Sequence, residues 1–320
     1  MPELSEFNII ERYFAPLAGP PGLALQDDAA CFSPAPGDDL VISKDLLVAE
    51  RHFFGDDRPQ DIAFKAVSVN VSDLAAKGSK PKYYLLGLCL PKSRAEHNWL
   101  KNFTEGLADA QNTYGISLIG GDTVSTDGPL SISITAMGYV AKGAMITRAG
   151  AKVGDDIYVS GSLGDAALGL KAINSGRGQC DAFLKRYHRP QARQLLGSRL
   201  VGVASAAADV SDGLLADMQH ICTASGVGAR ILQENVPLSD DAASSVENDS
   251  SLWPVVLSGG DDYEILFTAP SHNAAQIADL SQSLQLKITR IGTVRKDASL
   301  ELVDCNGELR QVAAKGFQHF

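Results

Sequence analysis

Apolar residues recur at two different spacings along the chain, and these spacings predict an alternation of helices and strands. A short amphipathic helix at the N-terminus is predicted from the helical spacing of Leu4, Phe7, Ile10 and Phe14. The segment 59–77 opens with a proline and ends before Gly78, which are typical start and stop signals of a helix. Segment 98–114 and a segment that ends near Ser225 are also predicted to be helical.

Short apolar or alternating runs between these helices predict strands. Strands are predicted at 40–42, 83–90, 117–119, 131–140 and 156–160, and the short run 206–209 leads into the acidic segment 209–213. The run 40–42 is expected to deliver residues 43–45 at its end, and 117–119 to end in a Gly-Gly-Asp-Thr turn. Asn306 and Gly307 between two apolar runs predict a two-residue hairpin near the C-terminus.

The order of these elements predicts a two-domain protein of the α/β (α+β) class. Strands and helices interleave irregularly, which is typical of mixed sheets. Residues 142–155 are rich in glycine and mixed in charge, so the joint between domains is expected there. We therefore expect an N-terminal domain of residues 1–142 with a mixed sheet and a C-terminal α/β domain of residues 143–320.

Composition excludes several classes of protein. The 320 residues carry a formal net charge of −10, which argues against nonspecific binding to nucleic acid. No apolar run approaches the roughly 18 residues of a membrane span, and the N-terminus lacks the apolar core of a signal peptide. The five cysteines form no CxxC pair, so neither a zinc ribbon nor a redox motif is indicated. We expect a reduced, cytoplasmic protein that does not bind a membrane.

Aspartates follow apolar runs at five places, and most of them have glycine or serine beside them. These acidic segments contain Asp28, Asp45, Asp73, Asp122, and Asp209 with Asp212. Any one of them alone is compatible with an ordinary turn. Carboxylates that converge in one cleft repel one another unless hard cations lie between them, and Mg²⁺ with phosphates is the usual reason. The pattern therefore favours a Mg²⁺-nucleotide enzyme.

Asp73 is the sharpest case, because it lies on the apolar face of the predicted helix 59–77. A carboxylate on an inward stripe is costly unless it is paired or bound to a metal. The alternative is a partly exposed aspartate near the end of the helix. The commoner phosphate motifs are missing: Leu170 stands where the P-loop lysine would be, and no GxGxxG follows a strand.

The acidic segments, taken in order, resemble those of one family. The resembling segments are 7–10, 27–30, 43–48, 51–53, 70–78, 119–123, 147–155, 209–213, 258–264 and 315–320. In this combination they resemble the thiamine-monophosphate kinase family, which belongs to the superfamily of aminoimidazole ribonucleotide synthetase and selenophosphate synthetase. The resemblance runs over nearly the whole chain. It implies ATP and several Mg²⁺ ions in a cleft between the domains, and a homodimer in which the N-terminal sheet pairs with that of a second subunit.

The resemblance also implies roles for individual residues. The positions that match metal ligands are Asp28, Ser43, Lys44, Asp45, Asp73, Asp122, Asp209 and Asp212. The positions that match nucleotide contacts are Gly121, Asp122, Arg148 and Ser211. The positions that match thiamine phosphate contacts are His52, Asp261 and Phe317. Among these, Asp122, Arg148 and Asp212 are expected to act at the transferred phosphoryl group.

Three positions depart from the family pattern. Gln26 stands where the family usually has glycine, Lys44 where it has threonine, and Asp261 where it has glutamate. An ammonium group cannot ligate Mg²⁺, so Lys44 either contacts phosphate in place of one metal or points to solvent. Two of the expected substrate contacts have simpler alternatives, since His52 fits a core or edge residue and Phe317 a residue that docks onto the core.

The resemblance implies that the chain phosphorylates thiamine monophosphate with ATP to give thiamine diphosphate, by direct in-line transfer assisted by Mg²⁺. One alternative is another ATP-dependent synthetase of the same superfamily. The other is a noncatalytic nucleotide- or thiamine-phosphate-binding relative, which Gln26 and Lys44 suggest.

Overall fold

The computed structural model describes residues 5–176, 180–304 and 306–311 of the chain. The chain divides into two compact units, Met1–Leu74 with Ser79–Gly143 and Ala75–Gly78 with Ala144–Phe320. The four residues Ala75–Gly78 thus group with the second unit, which no sequence pattern indicated. The predicted division between residues 142 and 143 remains a prediction.

Within its described residues, the first unit holds one four-stranded sheet and two long helices. The strands are β1 (Asp38–Val48), β2 (Lys80–Pro91), β3 (Ser117–Thr126) and β4 (Ser131–Ala141). The helices are α1 (Glu6–Ile9), α2 (Pro59–Ala76) and α3 (His97–Tyr114), and a π-helical turn Ile10–Phe14 follows α1. The strand order is β1-β4-β2-β3, in which only the β2–β3 pair is parallel.

The helices α2 and α3 cover one face of this sheet. Tyr84 on β2 is fully buried, and its hydroxyl oxygen accepts a hydrogen bond from Gln111 of α3 at 3.1 Å. The two helices approach closely at Gly106, where an added Cβ would lie 2.2 Å from the carbonyl oxygen of Gln60. Glycine is therefore the one residue that permits this helix packing. On β1, Leu40, Ile42 and Leu46 alternate with the covered positions and remain exposed.

Two predicted strand ends are wrong. β1 continues through residues 43–45 to Val48, and the predicted turn at 120–123 lies inside β3. The reason is strand pairing: β1 pairs with β4 in unbroken register, and β3 continues beside β2 with Gly121 opposite Leu86. Ladder hydrogen bonds outweigh the local turn tendency of Gly-Gly-Asp.

The second unit holds a mixed seven-stranded sheet in its described residues. Its strands are β5 (Asp156–Ser160), β6 (Ala206–Asp209), β7 (Gly228–Leu232), β8 (Ile265–Ala269), β9 (Ile288–Arg295), β10 (Leu300–Val303) and β11 (Leu309–Gln311). The order is β11-β10-β7-β9-β5-β8-β6. Its helices are α4 (Asp165–Ser175), α5 (Asp181–His188), α6 (Gln194–Gly197), α7 (Leu214–Ser225), α8 (Asp240–Asn248), α9 (Trp253–Ser258) and α10 (Ala274–Leu284).

The predicted strand 156–160 is confirmed, as is the helix that ends at Ser225, and the apolar run 206–209 forms the strand β6. A hairpin is present at Asn306 and Gly307, since β10 and β11 pair antiparallel, but the predicted two-residue loop is wrong: Val303 lies opposite Leu309, so the connection between the strands is longer. The predicted two-domain α/β class with mixed sheets is also confirmed. Among the described helices, none combines the length and the apolar character needed to cross a membrane.

Both faces of the second sheet are buried. Ile157 and Val159 of β5 pack into one apolar cluster with residues of α7, whereas Tyr158 packs into another cluster with residues of α10. Successive side chains of a strand point to opposite faces, so one strand serves two layers of core. This explains why β5 and β6 read as continuous buried runs in the sequence.

A buried carboxylate lies at the start of β8. The side chain of Glu264 has no exposed surface, and it accepts hydrogen bonds from Arg193 Nε at 2.7 Å, Arg186 Nη2 at 2.9 Å and Ser160 Oγ at 2.6 Å. Gly161 beside it has φ +62°, and a Cβ there would lie 2.2 Å from Glu264 Oε1. The two arginines thus compensate the buried charge of Glu264, and the glycine at 161 leaves room for its carboxylate.

We expect Glu264→Gln to destabilise the protein by about 3–5 kcal/mol, because the neutral amide leaves two partly buried guanidinium groups uncompensated. The measurement is the urea midpoint of unfolding. The control is Asp297→Asn, which removes the partner of Arg295 in an exposed ion pair of the same unit and should barely move the midpoint. Equal midpoints for both variants would contradict the assignment of Glu264 as a buried charge centre.

Candidate functional site

Three of the predicted metal ligands meet in the first unit, where β1 packs against α2. Ser43 Oγ donates a hydrogen bond to Asp73 Oδ2. The backbone N–H of Asp45 donates to Asn70 Oδ1 at 2.9 Å, and the buried Asn70 is held by its own bond to Ala66 O at 3.0 Å. Ser43 and Asp45 are two apart on the strand and therefore share a face. The strand and helix together bring two carboxylates and a hydroxyl side by side.

The charges in this group are crowded. Burial and, as the smaller effect, the carboxylate of Asp73 together raise the pKa of Asp45 to about 6, although the ammonium of Lys44 opposes them. Burial removes the water that would stabilise the charge, and a like charge nearby adds repulsion. Such a site favours either a proton or a cation.

Lys44 lies on the opposite face of β1 from Ser43 and Asp45. Its side chain is exposed, and Nζ donates to Ser133 Oγ of β4 at 2.5 Å. Since side chains alternate along a strand, a residue between two inward positions must face outward. The lysine therefore influences Asp45 through its charge and contacts the exposed face of the sheet with its ammonium.

Asp28 and Asp122 line a cavity of about 710 Å³ in the first unit, together with Asp27 and Gly121. Ser133, the partner of Lys44, also lines this cavity. The carboxylates of Asp27 and Asp28 are exposed, and the Asp28 N–H donates to Asp27 Oδ1 at 2.8 Å. The cavity is lined mainly by apolar residues and carries these three aspartates, and Lys44 lies beside it through its bond to Ser133.

The residues just before Asp27 have an unusual backbone conformation. Leu23, Ala24 and Leu25 all have positive φ, whereas Gln26 has φ −103°. The family's glycine is thus replaced by a residue whose backbone needs no glycine. The left-handed conformation is adopted instead by the three preceding residues. Each of them has a side chain, so this conformation costs more free energy there than it would at a glycine.

Gly121 is fixed by its close approach to β2. Its φ is +154°, and an added Cβ would lie 1.9 Å from the carbonyl oxygen of Leu86. Any side chain at this position would break the β2–β3 pairing. Asp122 follows directly, is exposed, and accepts a hydrogen bond from the Thr123 N–H at 2.8 Å. Gly121 thereby places bare backbone and a carboxylate next to each other at the cavity.

His52 is half-buried, and its Nδ1 accepts a hydrogen bond from the Val48 backbone N–H at 3.0 Å. This contact suits the simpler interpretation, a histidine that stabilises the turn after β1. Its role toward a substrate remains a prediction. Phe317, the other predicted aromatic contact, lies outside the described residues.

The second unit holds Asp209, Ser211 and Asp212 in the connection from β6 to α7. Asp209 is buried at the end of the strand, and Ser211 and Asp212 are half-buried. Gly213 closes the turn with φ +111°, where a Cβ would lie 2.7 Å from the backbone of Ser258. Close backbone approach therefore shapes this turn as it does at Gly121.

Sequence reasoning missed the residue that holds this turn, Asp217. Its Oδ2 accepts hydrogen bonds from the N–H groups of Ser211 at 3.0 Å and Asp212 at 3.1 Å. Burial and, as the smaller effect, the charge of Asp212 together raise the pKa of Asp217 to about 7. The two backbone hydrogen bonds and Arg148 oppose this rise. The signal was an aspartate among the apolar residues of a predicted helix, the same signal that singled out Asp73.

Asp261 is tied to this turn as well. Its N–H donates to Ser211 O at 2.9 Å, and the hydroxyl of Tyr263 donates to Asp261 Oδ1 at 2.9 Å. Asp261 has φ +65°, a left-handed conformation that aspartate tolerates better than most residues. Arg148 is exposed, and its carbonyl oxygen accepts from Ser225 Oγ at 3.0 Å. A backbone hydrogen bond thus connects Ser211, a predicted nucleotide contact, to Asp261, a predicted substrate contact.

Comparison with known proteins defines the class to which this fold and these acidic turns belong. Residues 26–140 match the AIR synthase related protein, N-terminal domain, and residues 152–305 match the AIR synthase related protein, C-terminal domain. The chain is 40% identical over 324 residues to the thiamine-monophosphate kinase of Escherichia coli (strain K12), with 98% of each chain covered. The chain belongs to the thiamine-monophosphate kinase family, as its acidic segments predicted.

Solved structures agree with this placement. The thiamine-monophosphate kinase of Stenotrophomonas maltophilia K279a is similar with a TM-score of 0.82 and 39% identity, covering 89% of this chain and 90% of that chain. AaThiL complexed with AMPPCP and TMP is similar with a TM-score of 0.80 and 31% identity, covering 100% of this chain and 98% of that chain.

We expect the carboxyl group of Asp45 to titrate near pH 6, and Asp73→Asn to lower its pKa by removing a neighbouring charge. The unfolded carboxyl titrates near 3.8, so the folded state holds more protons between these values. Stability should therefore fall as pH rises from about 4 to 6, and Asp45→Asn should flatten that slope. Side-chain carboxyl NMR measures the pKa directly. The control Asp127→Asn, at an exposed position of the same unit, should leave the Asp45 titration unchanged.

Proposed function

We propose that this protein transfers the γ-phosphoryl group of ATP to thiamine monophosphate and forms thiamine diphosphate. The observation that carries the proposal is similarity over the full chain to AaThiL complexed with AMPPCP, an analogue of ATP, and TMP. The relative from Escherichia coli, a thiamine-monophosphate kinase that matches over nearly the whole chain, supports the same activity.

The main obstacle to this reaction is charge, because it brings two polyanions together. Each pair of unit charges about 4 Å apart repels by about 4 kcal/mol at an effective dielectric constant near 20. The donor and acceptor phosphates make several such pairs. The protein must supply positive charge before the reacting atoms can approach one another.

The acidic groups of the two units suit Mg²⁺. Ser43, Asp45 and Asp73 offer hard oxygen donors, and the raised pKa of Asp45 beside Asp73 marks a site where a cation relieves repulsion. The remaining residues proposed to hold Mg²⁺ are Asp28, Asp122, Asp209 and Asp212. When bound, Mg²⁺ neutralises phosphate oxygens and aligns donor and acceptor for in-line transfer.

The chain's own groups bind and orient the nucleotide. The exposed guanidinium of Arg148 can form a paired hydrogen bond to ATP phosphates. Gly121 lines the cavity, where its backbone can contact the nucleotide, and Ser211 offers a hydroxyl from the turn that Asp217 holds. No strong general base is required, because the acceptor phosphate is already deprotonated near neutral pH.

His52, Asp261 and Phe317 are proposed to bind thiamine phosphate. The carboxylate of Asp261, oriented by Tyr263, can face the cationic heterocycle or the aminopyrimidine. An aromatic ring such as that of Phe317 suits the flat face of a cationic heterocycle. Two electrostatic contacts of this kind would select thiamine phosphate over an uncharged alcohol phosphate.

We also propose a homodimer formed through the exposed face of the first sheet. Ile42 and Leu46 on β1 are 57% and 55% exposed, and Leu85 and Val124 on β2 and β3 are 36% and 46% exposed. Large apolar side chains exposed in one region are typical of a protein interface. β1 lies at the sheet edge, and a second copy offers a matching face.

The activity is tested with purified protein, ATP, Mg²⁺ and thiamine monophosphate, by measuring thiamine diphosphate. A different synthetase of the superfamily would form no thiamine diphosphate from these substrates, and a noncatalytic relative would bind both ligands without turnover. We expect Asp73→Ala and Asp122→Ala each to lower kcat by at least about a hundredfold while the fold persists, since each removes a charge that holds Mg²⁺. Asp127→Ala is the exposed control. Near-normal turnover of either variant at saturating Mg²⁺ would overturn the proposed cation sites.

Lys44→Thr restores the residue usual in the family and tests what the lysine does. Lys44 bonds to Ser133, which lines the cavity with Asp28 and Asp122, so we expect its ammonium to contact phosphate and replace part of one Mg²⁺. The wild type should then saturate at lower Mg²⁺ than the threonine variant, whose dependence on Mg²⁺ should be steeper.

The measurement is initial rate against Mg²⁺ concentration at fixed ATP, with Lys142→Thr as the exposed control. Superimposable curves for wild type and Lys44→Thr would show that the lysine points to solvent during turnover. Activity confined to the threonine variant would identify the natural protein as noncatalytic.

A further inference from the structure

We propose that Asp212, Asp217 and His220 form a binding site for a divalent transition-metal ion, such as Mn²⁺, Co²⁺ or Zn²⁺. One ligand atom from each of the three side chains lies within 4.8 Å of the other two. Asp217 and His220 are three residues apart on α7 and so project from the same side of the helix, toward the turn that carries Asp212. Among the described residues, this is the one such group of three side chains.

The state of the Asp217 carboxylate is a second, independent indication of a ligand. Asp217 is 1% exposed, and Oδ2 accepts hydrogen bonds from two backbone N–H groups. The other oxygen, Oδ1, is buried and has no hydrogen-bond donor within the described part of the chain. A buried carboxylate oxygen without a partner is costly, and a cation bound to Oδ1 would remove that cost.

The donor set selects the kind of cation. Two carboxylate oxygens alone would suit Mg²⁺, but the imidazole of His220 favours ions that accept nitrogen ligands. Two carboxylates balance the charge of one divalent ion. Arg148 is close enough to lower the pKa of Asp217 and so opposes cation binding, but it does not reverse the net negative charge of the pair. His220 is exposed, which leaves one side of the site open to water and to an entering ion.

This site is distinct from the proposed Mg²⁺ sites in its nitrogen ligand and in Asp217, although it shares Asp212 with them. Its occupant would fix the turn of Ser211 and Asp212 from the side opposite to the Asp217 hydrogen bonds. The binding itself does not rest on the proposed kinase reaction, and it is measured without nucleotide or thiamine phosphate.

The test is titration of the purified full-length protein with Co²⁺ in excess Mg²⁺, followed by visible absorption and calorimetry. The wild type should bind one Co²⁺ with the absorption of a nitrogen-containing ligand set. His220→Ala should weaken this binding by at least about tenfold, because it removes a direct ligand. The matched control is His272→Ala, an exposed histidine of the same unit, which should leave the binding unchanged.

Asp217→Asn provides a second variant that separates ligation from folding. The amide oxygen can still accept from the Ser211 and Asp212 N–H groups, so the turn should persist, while the loss of charge should weaken Co²⁺ binding at least as much as His220→Ala. Circular dichroism verifies that both variants fold. Equal Co²⁺ affinity in the wild type and in folded His220→Ala would overturn the site, as would complete displacement of Co²⁺ by Mg²⁺. Failure of the kinase assay would leave this binding result untouched.

Discussion

Burial of carboxylates next to one another is the constraint on which the functional parts of this structure depend. Asp45 lies beside Asp73, and Asp212 beside Asp217, in places where water screens the charges poorly. Such pairs bind a proton more readily than a free carboxylate does, which is why the pKa values of Asp45 and Asp217 are raised. Donors fixed by backbone and side chain hold these carboxylates: Ser43 on Asp73, and two N–H groups on Asp217. The fold therefore stores unfavourable electrostatic energy at the positions where a cation or a cationic ligand would release it.

The two sheets support this arrangement in different ways. In the second unit, both faces of the sheet are buried, so Asp209 emerges from a strand whose every residue is fixed by packing. In the first unit, α2 and α3 cover one face of the sheet. Asp45 and Asp73 lie on this covered side, whereas Lys44 lies on the other side. Period-two alternation thus separates Lys44 from the carboxylate of Asp45, which is next to it in sequence. A rigid scaffold on each side is what allows like charges to be held close.

The sequence predicted the buried strands well because their signal is local. Residues 156–160 are a short apolar run bounded by turn residues, and they form β5 with those bounds. It failed at 43–45, where the apolar run ends, and at 120–123, where local residues favour a turn, because partner strands distant in sequence extend the ladder at both places. Asp217 was missed for a related reason, since its importance depends on two N–H groups that the chain brings to it only when folded. Motif reasoning found the residues that resemble a family's ligands, and it did not find the residue that positions them.

The left-handed backbone at Asp261 bears on how this family can vary. Aspartate and asparagine adopt positive φ at lower cost than residues with longer side chains. The family's usual glutamate would reach one methylene further but would sit less comfortably at φ +65°. This chain has the residue that suits the backbone, and the hydroxyl of Tyr263 holds its shorter carboxylate in place. At this position the shorter acid gives up reach for a backbone conformation that it adopts more easily, and the negative charge is kept.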